Sequence, residues 1–290
     1  LRELADNTPI GKDMKNVKLD EIGYWSEVKL DIVRKYAGAY STIMNAQPTI
    51  QSYIYIDAFA GAGVHMSKAT GEYVLGSPLN ALNIQPSFKE FHFIDLDGGR
   101  AKSLRKLCTE FANVRVYEGD CNKLLIEKIF PSAKYSDYRR ALCLLDPYGL
   151  HLDWKVLYAA GQMKSIEIFL NFPVMDMNMN VLWRNRQKVP AAQKARMDTF
   201  WGDDTWSFAV YKSTQGLFND IEEKSTNRDI AKAFQQRLHD VAGFAYVPAP
   251  IPMRNSTGSV VYYLFFASPN KTGAKIVQDI FDEYRDKGTT

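Results

Sequence analysis

The chain has 290 residues, 46% of them hydrophobic and 24% charged, with 36 Lys+Arg against 33 Asp+Glu and a formal charge of +3. This is the composition of an ordinary soluble globular chain, long enough for one large α/β domain or two small ones, and so mild a charge permits a polyanionic partner without arguing for one. Three cysteines (Cys108, Cys121, Cys143) without a Cys-x-x-Cys, and four histidines (His65, His92, His151, His239) without ligand spacing, argue against a disulfide framework or a metal site.

Residues 1–23 are polar and irregular and read as an arm. Arg2, Glu3, Asp6 and Lys12 leave no apolar signal region there. No apolar run approaches the roughly 20 residues that cross a bilayer. The expectation is a cytoplasmic chain with no membrane partner.

Over 25–44, Val28, Ile32, Tyr36, Ala39 and Ile43 recur at helical spacing, with Ser26 placed to cap and Gln47-Pro48 to end the helix. A buried strand follows at 51–57, rich in β-branched and aromatic residues, and runs into Asp57-Ala58-Phe59-Ala60-Gly61-Ala62-Gly63. Residues 65–78 read as a polar loop, and Pro78 opens a helix carrying Leu79, Leu82 and Ile84. Further strands are expected at 91–95, 114–117, 141–145 and 166–173, separated by helices at 100–111, 121–130 and 153–163. Five strands alternating with helices are the signature of a parallel sheet covered on both faces.

The alternation then breaks. Residues 174–240 read mainly as helix, and Trp183, Arg184, Arg186, Lys188, Lys194, Arg196 and Trp201 make part of them basic and aromatic. Such a run reads either as a solvated helix face or as a recognition surface, since substrate loops vary at this place. Two strand-like runs at 244–247 and 260–266, split by a polar, Pro-rich segment, lead to a last helix at 273–284. No internal repeat or low-complexity linker is present.

Four acids, Asp57, Asp95, Asp120 and Asp146, end the first four strands, which in an open parallel sheet sets them along one crevice. The Gly61–Gly63 turn lets main chain approach a ligand there. The acid of the second strand can accept from ribose hydroxyls, with Asp97 as its rival, and the acid of the third from an adenine amino group. Cys121 would touch the adenine by position alone. Asp95 and Asp120 could also be helix caps. This pattern fits a dinucleotide or S-adenosylmethionine. A dinucleotide fingerprint wants Gly-x-Gly-x-x-Gly, but Met66 stands at the third glycine's place, and Asp95 comes later than the usual acid. No Walker lysine occurs. An acid inside the turn resembles instead the first motif of class I S-adenosylmethionine-dependent methyltransferases, with Asp57 near the cationic end of the cofactor.

Asp146-Pro147-Tyr148-Gly149 could be a plain strand-ending turn. It also resembles the Asp-Pro-Pro-Tyr of amino-methylating nucleic-acid enzymes, and still more the Asp-Pro-Phe-Gly of enzymes that methylate the guanine exocyclic amine of transfer RNA. An exocyclic amine is a poor nucleophile because its lone pair is conjugated with the ring. A carboxylate and a carbonyl that hold its hydrogens favour a more pyramidal nitrogen, and an aromatic ring can stack on an extruded base. No Pro-Cys nucleophile of a cytosine-C5 enzyme is present.

The helix at 25–40 with Lys29-Leu30, the 57–63 turn, Gly76-Ser77-Pro78, Ile94-Asp95-Leu96-Asp97 and Asp146–Gly149 together resemble the three-Cys-motif partner protein family over about residues 24–285. The family name refers to the cysteines of a neighbouring protein. One departure is Asp95, where the family often has Glu. The resemblance implies a Rossmann-like class I methyltransferase fold: a mainly parallel seven-stranded α/β sheet with one antiparallel strand, helices on both faces and a helical insertion. The expected organisation is an N-terminal arm and helix (1–48), a cofactor-binding core (49–173), a helical lid or substrate arm (174–240), and final strands and helix (241–290). The expected cofactor is S-adenosylmethionine, held by Asp57, Phe59, Ala60, Gly61, Gly63, Asp95 or Asp97, Asp120 and Cys121. Asp146, Pro147 and Tyr148 would be catalytic, and Gly149, Trp183, Arg184 and Arg186 substrate-binding. The expected partners are nucleic acid, DNA or RNA, and a neighbouring three-Cys-motif protein. Methylation of a protein or small molecule, and a non-catalytic partner role, remain as alternatives.

Overall fold

The computed structural model describes residues 20–214 and 221–287; the expected arm, up to residue 19, lies outside the described residues. The first strand, β1 (Glu21–Ile22), precedes helix α1 (Tyr24–Asn45). Gly23 takes the N-cap of α1 without a side-chain cap, so Ser26 lies inside the first turn and does not cap. Strand β2 (Ser52–Asp57) runs into the glycine turn. The expected polar loop after it contains an antiparallel pair, β3 (Val64–Ser67) and β4 (Tyr73–Leu75), with β1 beside β3. Gly71, at φ +68°, closes the turn between them by donating its N–H to the Ser67 carbonyl at 2.8 Å.

Helix α2 (Ser77–Leu82) has Pro78 in its first turn, where a missing N–H costs nothing. Then follow β5 (Glu90–Asp95), α3 (Gly98–Leu107), β6 (Val114–Glu118) and the short α4 (Cys121–Leu124), which continues as a π-helical turn over Leu125–Ile129. Strand β7 (Arg139–Leu145), helix α5 (Trp154–Met163) and strand β8 (Ile166–Phe172) complete the alternation.

Beyond β8, the stretch expected to be helical holds α6 (Val174–Asn180), α7 (Ala191–Trp201) and α8 (Trp206–Val210), then a hairpin of β9 (Tyr211–Thr214) and β10 (Ile221–Lys224), and finally α9 (Asn227–Asp240). Thr226 and Asp229 form a reciprocal capping box at the start of α9. The expected strand at 244–247 is only a single bridge, from Tyr246 to Ser268. The strand forms later, as β11 (Ile251–Arg254), within the Pro-rich segment. This is possible because β11 is an edge strand, where Pro252 interrupts no ladder between two neighbours. Strand β12 (Val260–Ala267) and helix α10 (Lys271–Lys287) end the fold.

The main sheet has the order β11-β12-β8-β7-β2-β5-β6. Strand β12 is antiparallel to β8 and to β11, while β8, β7, β2, β5 and β6 pair in parallel. Side chains alternate between two cores. Tyr53, Tyr55, Leu142 and Leu144 face α1, α2, α3 and α10, where Ile32, Tyr36, Leu104 and Phe281 lie. Ile54, Ile56, Cys143 and Leu145 face the other layer, with Val156 and Leu157 of α5 and Phe234 of α9. Burial on both sides explains why these strands read as unbroken apolar runs. No helix among the described residues is long and apolar enough to cross a membrane.

Candidate functional site

The carboxyl ends of β2, β5, β6 and β7 bring Asp57, Asp95, Asp120 and Asp146 to one edge of the sheet, at the point where the strand order reverses about β2. Asp57 is fully buried. Its Oδ1 accepts the Phe59 N–H at 3.2 Å, while Oδ2 has no hydrogen-bond partner. Burial pushes this carboxyl up to about 7, against the pull of the Ser77 hydroxyl and the Phe59 N–H, and nearby Asp146 adds to the rise. An unsatisfied, fully buried carboxyl oxygen costs stability, and it suits a site that receives a cation or a donor.

The turn after Asp57 is tied down on both sides. Ala58 and Ala60 donate their N–H groups to the carbonyls of Leu144 and Ile94 at 3.0 and 2.8 Å. Gly61 and Gly63 both have positive φ, +64° and +90°. A side chain on Gly61 would meet nothing within 4 Å, so the main chain faces open space. One on Gly63 would come within 3.1 Å of Leu104 and 3.2 Å of Leu107, so this glycine lets the turn close onto α3. Phe59 is half-buried against the core.

Asp95 is nearly buried. Its Oδ2 accepts the Gly61 N–H at 2.8 Å and its Oδ1 the Asp97 N–H at 2.8 Å. It therefore binds the end of β5 to the glycine turn and is not a helix cap. Asp97 is the cap, accepting from the Arg100 N–H at 2.9 Å. Asp120 is likewise a cap, with its Oδ1 accepting from the Asn122 N–H and from Asn122 Nδ2, at 2.9 and 3.1 Å. Cys121 is buried, and burial pushes its thiol up to about 12. The thiol has the character of a core residue.

Asp146 is held by two residues far away in sequence. The buried Lys29 of α1 forms an ion pair with Oδ2, and Asn171 of β8 donates its amide to Oδ1 at 2.8 Å. Burial alone would lower the Lys29 pKa, but the Asp146 carboxylate and then the Tyr262 phenol raise it above the ordinary lysine value. The Tyr262 ring lies 5.5 Å from the ammonium. Neither Lys29 nor Asn171 was singled out as a site residue from sequence, although each breaks a pattern. Lys29 sits on the buried stripe of its helix, one turn after Trp25 and one before Val33, and Asn171 interrupts a run of apolar strand residues.

Pro147 is buried, whereas Tyr148 next to it is 77% exposed. Gly149 takes φ +58°, and a side chain there would lie 2.9 Å from the Asp176 carboxyl of α6. Asp176 in turn accepts from Asn180 at 2.9 Å, while its Oδ2, without a hydrogen bond, sees Arg196 of α7 only at 3.7 Å. Through this carboxyl the segment beyond β8 meets the Asp146–Gly149 turn.

Trp183, Arg184 and Arg186 follow α6 and are exposed. The Trp183 indole donates to the Met179 carbonyl at 2.8 Å and its own carbonyl accepts from the Tyr211 hydroxyl at 2.7 Å, so the aromatic group is fixed. Arg186 lies 5.8 Å from the Tyr211 ring. His65 of β3 is close to the crevice charges. Burial, and then Lys29, depress its pKa, and its Nδ1 has no partner.

The strand order and directions described above are those of the Rossmann-like class I methyltransferase fold. No protein-family model matches the chain, and no curated protein matches it. Among solved structures it is similar to protein LPL1258 from Legionella pneumophila strain Philadelphia 1, a DUF519 protein, at 13% identity and a TM-score of 0.53, over 90% of this chain and 91% of that one. At that identity the likeness concerns the fold alone. A candidate S-adenosylmethionine-dependent methyltransferase from Listeria monocytogenes (14% identity, 82% and 100% covered, TM-score 0.41) and the methyltransferase domain of METTL16 (10%, 83% and 68%, 0.42) lie further off, and the fold assignment does not rest on them.

Proposed function

We propose that the chain is an S-adenosylmethionine-dependent methyltransferase acting on an exocyclic amine of a nucleic-acid base. The observation that carries this reading is the turn at the end of β7. A braced carboxylate, Asp146, is followed by a buried proline and a tyrosine 77% exposed, one strand away from Asp57 and its unpartnered Oδ2.

The residues fit the cofactor. Asp57 offers its unpaired oxygen to the cationic end, the open main chain at Gly61 permits close approach, and Phe59, Ala60 and Gly63 shape the turn. Asp95 keeps lone pairs for ribose hydroxyls beyond those used on Gly61 and Asp97. Asp97, Asp120 and Cys121 line the neighbouring edge, where Leu96 stands 77% exposed as cover for a flat ring. When bound, S-adenosylmethionine supplies an electrophilic methyl group on a sulfonium.

The remaining chemistry belongs to the chain. Lys29 and Asn171 fix the Asp146 carboxylate, and each oxygen keeps a lone pair for an amine hydrogen. The Pro147 carbonyl would hold the second hydrogen. Tyr148 would stack on the extruded base and Gly149 would let the chain pass Asp176. The exposed stretch after α6, with Trp183, Arg184 and Arg186, would act as the substrate arm, drawing a polyanion by charge. On the sequence resemblance of these turns we further propose membership of the three-Cys-motif partner family, with a neighbouring protein as partner and a cytoplasmic location.

Calorimetric titration with S-adenosylmethionine tests the cofactor reading. Binding to one site, lost in Asp95→Ala, is expected. No heat at millimolar cofactor would remove the enzyme reading.

A further inference from the structure

At the opposite edge of the sheet, where β7 and β8 begin and β12 ends, lies a cavity of about 340 Å³. It falls in the range of small-molecule pockets rather than ion sites. By strand length, at about 3.3 Å per residue, it is roughly 20 Å from the acid-lined crevice. Its walls carry Arg140, Lys164 and Lys271, and Glu167 is the only acid among the described residues lining it. Glu167 is already satisfied, accepting from the Tyr36 hydroxyl and, at 2.8 Å, from Ser268.

The cations are not neutralised. Among the described residues, neither Lys164 nor Lys271 has an acid within 4.0 Å, and Arg140 donates only to the main-chain carbonyls of Tyr135 and Arg139. Lys271 opens the 17-residue helix α10, whose first turn is capped by Asn270: its Oδ1 accepts the Thr272 N–H at 2.8 Å and its carbonyl the Ala274 N–H at 3.2 Å. A second, independent feature points to a ligand. The Tyr40 hydroxyl is buried, has no hydrogen-bond partner, and lies within electrostatic reach of Glu167 and Arg140, both walls of the cavity.

The remaining walls are aromatic and apolar. Tyr135 and Tyr246 are partly exposed, and the Arg140 guanidinium stacks on Tyr135 at 3.9 Å, extending a flat platform. Cations for a dianion, ring faces for a planar group and an unused hydroxyl describe one class of molecule. We infer that this cavity binds a nucleoside 5′-monophosphate, with its phosphate between Arg140, Lys164 and Lys271, its base against the tyrosine and arginine platform, and a polar group on the Tyr40 hydroxyl. The site is distinct from the crevice, although α1 and β8 reach both: Lys29 and Asn171 at one end, Tyr40 and Glu167 at the other.

The test is calorimetric titration of the full chain with the four ribonucleoside 5′-monophosphates, the matching nucleosides and inorganic phosphate. At least one monophosphate should bind at a single site about tenfold tighter than its nucleoside or phosphate. The exposed pair Lys164→Glu/Lys271→Glu should weaken that binding at least about tenfold without moving the melting curve. Tyr40→Phe should weaken it several-fold while leaving the fold as stable or more so, because it removes an unsatisfied hydroxyl. Asp95→Ala should leave it unchanged. No binding of any monophosphate at millimolar concentration would overturn the assignment. So would phosphate alone binding as tightly, or binding that survives the charge reversal or is lost with Asp95.

Discussion

Asp146 is positioned by a lysine 117 residues before it and an asparagine 25 residues after it, so its chemistry and its fixation can be separated by substitution. Asp146→Asn keeps the shape and one acceptor for Lys29 but removes its countercharge, so it should melt somewhat earlier. It should fold, bind S-adenosylmethionine within about twofold, and transfer methyl at least ~100-fold more slowly, as measured by single-turnover assay. Asp146→Ala should also retain cofactor and lose transfer, but it strands a buried ammonium and should melt earlier still. Loss of cofactor binding in the Asn variant would place Asp146 in the cofactor site instead.

Asp57 gives a pH prediction. Its carboxyl titrates at about 7 in the fold against 3.8 for the free group, so the folded state holds a proton that the unfolded state has lost. Its contribution therefore becomes less favourable as pH rises from about 4 to about 7, and Asp57→Asn should flatten that slope in denaturant melts. A cationic cofactor selects the charged form. Its affinity should rise roughly tenfold from pH 6 to pH 8, with proton release on binding. An affinity flat over that range would separate Asp57 from the cation. At this scale the sequence carried the acids at the strand ends, because an acid closing an apolar run stands out. It hid their roles: Asp95 and Asp97 look equivalent in a row of letters, yet one joins β5 to the glycine turn and the other caps α3.

At the scale of elements, the two glycines of the turn make opposite demands. Gly63→Ala adds a methyl against Leu104 and Leu107 in a positive-φ position, and the backbone and crowding costs together should take about 2–5 kcal/mol of stability. Gly61→Ala carries the left-handed backbone penalty of about 1–2 kcal/mol but meets no neighbour, and its methyl points into open space, so cofactor affinity should fall more than packing requires. Paired melts and cofactor titrations check the contrast. The strands that form the parallel sheet were legible because burial on both faces makes them continuous apolar runs. Strand β11 was not, since Pro252 argues against a strand unless its edge position is known, and that position is fixed by β12 and not by the segment itself. The pair β3–β4 was hidden by its brevity, four and three residues set among the polar residues of the loop between them.

At the scale of the whole molecule, the stretch 174–240 is not all arm. Helix α9 places Phe234 against Phe172, Phe200, Trp201 and Phe265, inside the core behind β8 and β12. Phe234→Ala should cost about 3–5 kcal/mol in a melt, a core value that a substrate lid would not show. Residues 183–188 of this stretch are exposed, and they follow α6, whose Asp176 lies beside Gly149 of the turn after β7. That contact joins two segments far apart in the chain, and no local pattern announces it.

The most direct measurement of the central claim is methyl transfer itself. The purified chain is incubated with S-adenosylmethionine labelled in the methyl group and a cell extract, which is then split into nucleic-acid and protein fractions and digested. The account predicts label in nucleic acid, recovered as a nucleoside methylated on its exocyclic nitrogen, and absent with Asp146→Asn. Label in the protein fraction, on a ring carbon, or undiminished in that variant would contradict it.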